Sequence, residues 1–196
     1  MSADGVELTI TDSAVPIRDR DGEIVGAVLV FKDLSQVRAM EEEMHHLARH
    51  AALTGLNNKR ASAEEAEEVL DQTKGSERQH ALCYLDLDEF KLINDSCGHS
   101  AGDEFIRQIT AVLVGKVRPT DIVARMGGDE FAVLLTDCGA DRAAIIAEDL
   151  AEAIRRVRFL GEDRIYAVGA SIGLVPISAE SEGAEVVLKA ADAACH

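Results

Sequence analysis

The chain of 196 residues is poor in basic residues and in long apolar runs. Its 20 lysines and arginines stand against 36 aspartates and glutamates, which leaves a formal net charge of -16. Nonspecific binding to nucleic acid or to an anionic membrane needs a basic face, so this balance argues against both. No apolar run approaches the roughly 20 residues of a membrane span, and Met1 does not open a secretory leader. We therefore expect a cytoplasmic domain, whose parent protein could still be attached to a membrane.

Two common kinds of site are also missing. The cysteines are scattered and include no Cys-x-x-Cys pair, a spacing that does not favour zinc; they are Cys83, Cys97, Cys138 and Cys195. No Gly-x-x-x-x-Gly-Lys-Ser/Thr loop is present, which excludes a P-loop nucleotidase. If the ligand is a nucleotide, so acidic a chain must recruit cations to hold its phosphates. A metal ion should then be part of the site.

The first third of the chain predicts a hairpin and a helix. An Asp21-Gly22 turn between two apolar runs indicates a β-hairpin over residues 6–33. Two strands cannot bury their own faces, so we expect residues 1–34 to be the end of a domain that lies upstream. A linker helix should follow within residues 35–52, because apolar residues recur there three and four apart, at Val37, Met40, Met44 and Leu47. The spacing fits a coiled-coil seam and an amphipathic helix packed on its own domain equally well.

The remainder, residues 53–196, alternates between helical and extended patterns. We expect helices over 58–73, 101–117, 141–158 and 184–196, and strands over 81–87, 122–126, 131–135 and 164–177. This order, with a hairpin in its middle, predicts an α/β (α+β) fold. Its central mixed β-sheet should have about five strands, with helices on both faces.

Two acidic motifs are the first candidates for chemistry. Asp86 ends an apolar strand, where an unpaired charge is costly. Asp129 lies in a Gly127-Gly128 turn, whose backbone can approach a ligand closely. Adjacent strands could bring both carboxylates to one edge of the sheet, where they would suit Mg²⁺ completed by phosphate oxygens. Two such ions could activate a hydroxyl and neutralise a leaving phosphate. For the first motif alone, a solvated strand end is an equally good interpretation.

Asn94 and Asp103 are candidates for base recognition. An amide oxygen and a carboxylate can accept hydrogen bonds from the N1–H and N2–H₂ groups of guanine. Asp103 has a second interpretation, because Ser100-x-x-Asp103 at the start of a helix is close to a capping box. From the spacing alone, the capping interpretation is the stronger one.

The string Arg-Met-Gly-Gly-Asp-Glu-Phe at residues 125–131 carries the signature of the GGDEF family of diguanylate cyclases, which the chain resembles over residues 53–196. Similar blocks are Leu53-Thr54-Gly55-Leu56, residues 86–95 with Gly98-His99 and Gly102-Asp103, and Ser171-Ile172-Gly173. The resemblance implies a nucleotidyl-cyclase or palm-like βαββαβ core. It also implies an enzyme that condenses two GTP into cyclic di-GMP and two pyrophosphates, as a homodimer with Mg²⁺ or Mn²⁺. The hairpin followed by Asp33-Leu34-Ser35 resembles the end of a PAS sensor domain, which implies an upstream sensor.

The resemblance also implies a role for each site residue. The metal ligands would be Asp86, the Leu87 carbonyl and Asp129, and Glu130 would assist metal binding or deprotonation of the 3′-hydroxyl. Asn94 and Asp103 would recognise guanine. Gly128 would contact the substrate, and the backbone amides of Phe90 and Lys91, with the Lys91 side chain, would contact the phosphates. Arg118-x-x-Asp121 matches the family's product-inhibition motif, since a guanidinium can grip guanine O6 and N7. The alternative for that pair is a surface ion pair.

The chain departs from the family pattern at several positions. Ala51 stands where an Asp usually opens the first motif, and Lys59 replaces an Arg. Glu148-Asp149 occupies the place of a second inhibitory Arg, so product inhibition should be weak. The family continues past the last helix into a phosphate-contacting stretch, so we expect residues 53–196 to be a truncated domain. The alternative function is a catalytically silent domain that binds GTP or cyclic di-GMP and regulates a neighbouring domain.

Overall fold

The computed structural model describes residues 10–161 and 164–196, and the chain divides into two compact units, Met1–Ala48 and Arg49–His196. In the first unit, β1 (Ile10–Arg18) and β2 (Ile24–Asp33) pair antiparallel. The turn between them is closed by the Asp19 carboxylate, which accepts hydrogen bonds at 2.9 Å from the amides of Asp21 and Glu23. The predicted hairpin is confirmed over these residues, and its first positions, 6–9, lie outside the described part.

Helix α1 (Ser35–Arg49) follows the hairpin, as the apolar periodicity predicted. The four residues of its apolar seam are all exposed, by 47% at Val37 and by 71% at Met44. Among the described residues, no helix combines the length and the apolar composition needed to cross a membrane.

The second unit is a mixed sheet covered by helices. Its elements are β3 (Asn57–Asn58), α2 (Lys59–Thr73), β4 (His80–Leu87), α3 (Phe90–Cys97), α4 (His99–Lys116), β5 (Ile122–Gly127), β6 (Glu130–Leu135), α5 (Ala140–Arg156), β7 (Phe159–Gly161), β8 (Arg164–Tyr166), β9 (Ala170–Ile177) and α6 (Ala184–Cys195). Five strands form one sheet in the order β3-β5-β6-β4-β9. The β3–β5 pair is parallel and the other pairs are antiparallel, so the predicted mixed sheet is confirmed.

Strand β4 lies inside the sheet and is buried on both faces, which explains its nearly continuous apolar sequence. Cys83, Leu85 and Leu87 pack on one side with α4 and α5. Leu82 and Tyr84 pack on the other side with α2 and α6. The helices therefore cover both faces, as expected for this element order.

Two elements were not predicted, and one expectation was wrong. Residues 90–97 form the helix α3, a stretch to which the sequence interpretation assigned no element. The single strand expected over 164–177 is two strands, because β8 pairs with β7 in a separate small sheet and only β9 joins the main one. The two-residue strand β3 was not foreseen at all.

Candidate functional site

The acidic residues of the two motifs meet at one end of the central strands. β4 and β6 are antiparallel neighbours, and their register sets Asp86 directly opposite Glu130. The amide of Leu87 donates to the carbonyl oxygen of Asp129 at 3.3 Å, which joins the end of β4 to the turn before β6. The expected convergence of Asp86 and Asp129 is therefore observed.

The electrostatics of this cluster favour a cation. Burial raises the pKa of Asp86, and the neighbouring carboxylates of Asp129, Glu130 and Asp88 raise it further, whereas His196 acts in the opposite direction. A positive ion beside Asp86 would act in the opposite direction and favour its charged form. Among residues 10–161 and 164–196, however, no group of three His, Cys, Asp or Glu side chains could hold a metal ion by itself. Any ion bound here needs further oxygen ligands from water or a substrate.

The Gly127-Gly128 turn carries Asp129 and is braced by an arginine. Gly128 has a φ of 29°, a left-handed value that favours glycine. The guanidinium of Arg125 donates from Nε and Nη2 to the Gly128 carbonyl oxygen, at 3.1 and 2.6 Å. Burial lowers the pKa of Arg125, while the carboxylates of Asp103 and Asp129 act to raise it. Arg125 thus lies within electrostatic reach of both the metal and the base-recognition candidates, a role that its sequence position did not reveal.

Further cationic side chains lie next to the same turn. A cavity of about 390 Å³ is bordered by Gly127 and Gly128 and by the side chains of Lys59, Arg60 and Arg125. Arg60 also pairs with Glu64 at 2.9 Å. In a chain of net charge -16, this is a local concentration of positive charge beside the acidic cluster.

The candidates for base recognition lie on two consecutive helices. Asn94 is on α3, and its side chain rests against Gly102 of α4, where a Cβ would come within 2.0 Å of Oδ1. Asp103 is the next residue of α4 and is exposed. The capping interpretation of Asp103 was wrong, because α4 begins at His99 and its N-cap residue, Gly98, is not accompanied by a side-chain capping bond.

The turn between β4 and α3 carries the residues predicted to contact phosphates. Phe90 is 8% exposed and stacks on Phe105 with ring centroids 6.2 Å apart. Its side chain therefore anchors the turn in the core, and only its backbone is available to a ligand. Lys91 is exposed and directs no bond elsewhere among the described residues.

Arg118 and Asp121 lie in the turn between α4 and β5. The Asp121 carboxylate accepts from the amide of Arg118 at 2.9 Å and from the amide of Thr136 at 3.1 Å, so it organises the turn. No ion pair joins the two side chains in the described part of the chain, which contradicts the surface ion-pair alternative. Arg118 is exposed and borders cavities of about 360 and 210 Å³. Arg142 of α5 lines the second cavity, a contribution that the sequence interpretation missed.

Comparison with known proteins gives a consistent result. The family model described as "Diguanylate cyclase, GGDEF domain" matches residues 48–196. The probable diguanylate cyclase DgcE of Escherichia coli K12 is 41% identical over 94% of this chain, which is 17% of its own length. The cyclic di-GMP phosphodiesterase PdeB of Shewanella oneidensis is 35% identical over 91% of this chain, which is 20% of its own length. The chain thus spans a fifth or less of these two relatives.

Solved structures agree with the sequence relatives. The coiled coil and GGDEF domain of DgcB from Caulobacter crescentus, solved in complex with c-di-GMP, matches with a TM-score of 0.74 and 26% identity, over 83% of this chain and 86% of that one. Diguanylate cyclase SiaD of Pseudomonas aeruginosa, solved with its activator SiaC, matches with a TM-score of 0.71 and 27% identity, over 82% and 61% of the two chains. With its acidic cluster on a five-stranded mixed sheet, the chain belongs to the GGDEF-domain, diguanylate cyclase family.

Proposed function

We propose that this chain is an active diguanylate cyclase domain, which joins two GTP molecules into cyclic di-GMP and releases two pyrophosphates. The observation that carries the proposal is the register of β4 and β6, which sets Asp86 opposite Glu130 and ties Leu87 to Asp129. A domain that only bound nucleotide would have no need to keep these carboxylates together. Family membership supports the same activity.

The donor set fits Mg²⁺, or Mn²⁺ in its place. Asp86, Asp129 and the Leu87 carbonyl would hold the ion, and substrate phosphates and water would complete its shell, as this ion prefers. When bound, the ion would neutralise phosphate charge and help to activate the attacking 3′-hydroxyl. The raised pKa of Asp86 supports the fit, because burial and neighbouring carboxylates disfavour its charge and a bound cation would favour it. Glu130 would accept the hydroxyl proton or support the ligands.

The chain's own residues would position the substrate. Asn94 and Asp103 would accept from the N1–H and N2–H₂ edge of guanine, which adenine cannot supply. The backbone of the β4–α3 turn at Phe90, the Gly128 backbone and the Lys91 side chain would contact the phosphates. Selection of GTP over ATP would follow, because adenine would leave these two acceptors without partners in the complex.

Catalysis should require a homodimer. Cyclic di-GMP contains two phosphodiester links, and each site holds one GTP, so two sites must face each other. The exposed apolar seam of α1, which includes Met40 and Met44, supports pairing between two chains. We also propose that the β1–β2 hairpin belongs to a PAS-like sensor, because its apolar residues are exposed, Phe31 by 62%. The product would inhibit through Arg118 and Asp121.

The test is to incubate the protein with GTP and Mg²⁺ and to measure cyclic di-GMP. Asp86→Asn and Asp129→Asn should each reduce turnover by at least about 100-fold, since both remove a metal ligand. Asp71→Asn makes the same chemical change at an exposed α2 residue paired with Lys74 at 2.8 Å, and should leave turnover unchanged. Wild-type turnover in either site variant would refute the two-carboxylate mechanism.

The alternative is a silent domain that binds GTP or cyclic di-GMP and regulates a neighbour. It is favoured by the similarity to PdeB, whose name is that of a phosphodiesterase. A silent domain would bind GTP without forming any product at any protein concentration. A cyclase would form product at a rate per chain that rises with concentration, because the dimer is the active form.

A further inference from the structure

Asp88 follows Asp86 by two residues, yet its surroundings are different. We propose that Asp88 is a positioning residue, which together with Ser171 clamps the β4–α3 turn to β9 and so holds the backbone that contacts the substrate phosphates. The inference rests on the proposed function for its consequence, but the clamp itself can be tested without any nucleotide.

Three contacts build the clamp. The Ser171 hydroxyl donates to Asp88 Oδ1 at 2.9 Å. The Asp88 amide donates to the carbonyl oxygen of Gly169 at 3.1 Å. At Gly169 a Cβ would lie 2.3 Å from Asp88 Oδ2, so the absence of a side chain there is what lets the carboxylate approach β9. The turn and the start of β9 are therefore tied through both backbone and side chain.

Asp88 lies near the metal candidates, but its two carboxylate oxygens are engaged elsewhere. Oδ1 is occupied by the Ser171 hydroxyl, and Oδ2 lies against Gly169. Asp86 has Glu130 opposite it on β6 and Ser171 opposite it on β9, but the Ser171 hydroxyl donates to Asp88. Two acids on one strand end therefore have different roles: Asp86 would hold the ion, and Asp88 holds the turn.

The turn needs such an anchor because of its backbone. Glu89, which follows Asp88, has φ 58° and ψ 20°, a left-handed conformation that residues other than glycine adopt rarely. On the far side of Glu89, Phe90 is fixed by its stacking on Phe105. On the near side, the Asp88–Ser171 bond is the matching constraint. Loosening it would let Glu89 relax and would move the amides at the start of α3.

The experiment compares Ser171→Val with Ser171→Thr, which have nearly the same shape but differ in the hydroxyl. Both β-branched residues suit an exposed strand position. Exchange of the Asp88 and Leu92 amides, measured by NMR without nucleotide, reports on the clamp, because these amides bond to Gly169 O and Glu89 O. Ser171→Val should speed this exchange about fivefold, the size expected for one net hydrogen bond. In Ser171→Thr the exchange rate of these amides should stay within about twofold of that in the parent protein.

The consequence for function is measured with the same pair. Ser171→Val should raise the KM for GTP about fivefold with little change in kcat, because a loosened phosphate contact weakens substrate and transition state alike. Gly169→Ala, which pushes Asp88 away directly, should reproduce both effects. Unchanged amide exchange in Ser171→Val and Gly169→Ala would overturn the clamp. Faster exchange in a protein that makes no cyclic di-GMP would leave the clamp standing and refute the proposed activity.

Discussion

The contact between Gly102 and Asn94 allows base recognition to be perturbed without touching a polar group. A Cβ at position 102 would come within 2.0 Å of Asn94 Oδ1 and 3.2 Å of the Phe90 ring. Asn94 Cγ would also lie 2.9 Å from that Cβ, so in Gly102→Ala the whole Asn94 side chain must swing away and not its amide alone. Phe90 has to shift by only a few tenths of an ångström. The substitution should displace the predicted guanine contact and leave the rest of the site in place.

The expected magnitudes differ sharply between stability and binding. Replacing glycine by alanine inside a helix normally stabilises by about 0.8–1 kcal/mol. The tight contact with Phe90 offsets part of that gain, so the free energy of unfolding should change by less than about 1 kcal/mol. A base contact of this kind contributes about 1–3 kcal/mol. The Kd for GTP should therefore rise roughly fivefold to 150-fold.

The assay is calorimetric titration with non-hydrolysable GTP and ATP analogues, alongside thermal unfolding. Gly115→Ala is a matched control in the same helix, because a Cβ there would meet no heavy atom within 4 Å. It should raise stability and leave GTP binding unchanged. The double variant Gly102→Ala/Asn94→Ala should bind the GTP analogue only slightly more weakly than Asn94→Ala, since both substitutions remove the same contact.

One outcome would refute the reasoning directly. If Gly102→Ala binds the GTP analogue as tightly as the parent and still prefers it to ATP, then Asn94 does not recognise the base. A parallel loss of GTP and ATP binding would also count against Asn94, because it would indicate a general distortion of α3. Only a selective loss of GTP binding agrees with the proposal.

Three further predictions follow from other parts of the second unit. Arg118→Ala should weaken cyclic di-GMP binding at least fivefold, roughly the contribution of one charged hydrogen bond, without changing GTP affinity; undiminished product binding by calorimetry would contradict it. His80 is 2% exposed, and burial lowers its pKa below the ordinary 6.5, so its unfolded form takes up a proton first as the pH falls. Stability should therefore be full above pH 6.5 and fall below it by at most about 1.4 kcal/mol per pH unit; urea unfolding at several pH values should show this slope shrink in His80→Asn. At Gly173, a Cβ would lie 2.0 Å from the Ala191 carbonyl oxygen of α6. Gly173→Ala should therefore lower the free energy of unfolding by several kcal/mol, and a thermal midpoint close to the parent's would show that α6 can move aside freely.

The elements that the sequence predicted well are those with a strong local pattern. β4 was expected over 81–87 and spans His80–Leu87, because a strand buried on both faces is a continuous apolar run. β5 and β6 were expected within a residue of their observed bounds, because the Gly127-Gly128 turn marks where one ends and the other begins. The meeting of Asp86 and Asp129 followed from these two strands being neighbours.

The elements that were missed have no such pattern. α3 has only eight residues, and its two buried side chains, Phe90 and Ile93, amount to one helical turn of periodicity. β3 is defined by its pairing with β5, more than 60 residues away in the chain, and so carries no local signal. The capping interpretation of Ser100 and Asp103 failed because the spacing indicates that a helix starts nearby but not at which residue. The N-cap residue is Gly98, with a φ of 82°, and α4 begins at His99.

The side-chain partners of the site were the least predictable part. Asp121 was expected to act with Arg118 in product binding, and nothing in the sequence indicated that its carboxylate also accepts from the Thr136 amide, 15 residues further along the chain. Arg142 lines the same cavity as Arg118, although it belongs to α5, which follows β6 in the chain. Such partners depend on which strands and helices are neighbours, and a single sequence specifies this only through the whole fold.

The acidic cluster itself argues that function, rather than stability, placed these residues. A carboxylate whose pKa is raised by burial and by like charges, as at Asp86, lowers the stability of the folded state at neutral pH. Uncharged polar residues could end β4 without that cost. A bound cation, together with the phosphates it carries, would neutralise the cluster and offset that cost. An enzyme that binds metal and polyphosphate at each turnover supplies that partner, and the silent alternative supplies it only if it binds GTP in the same way.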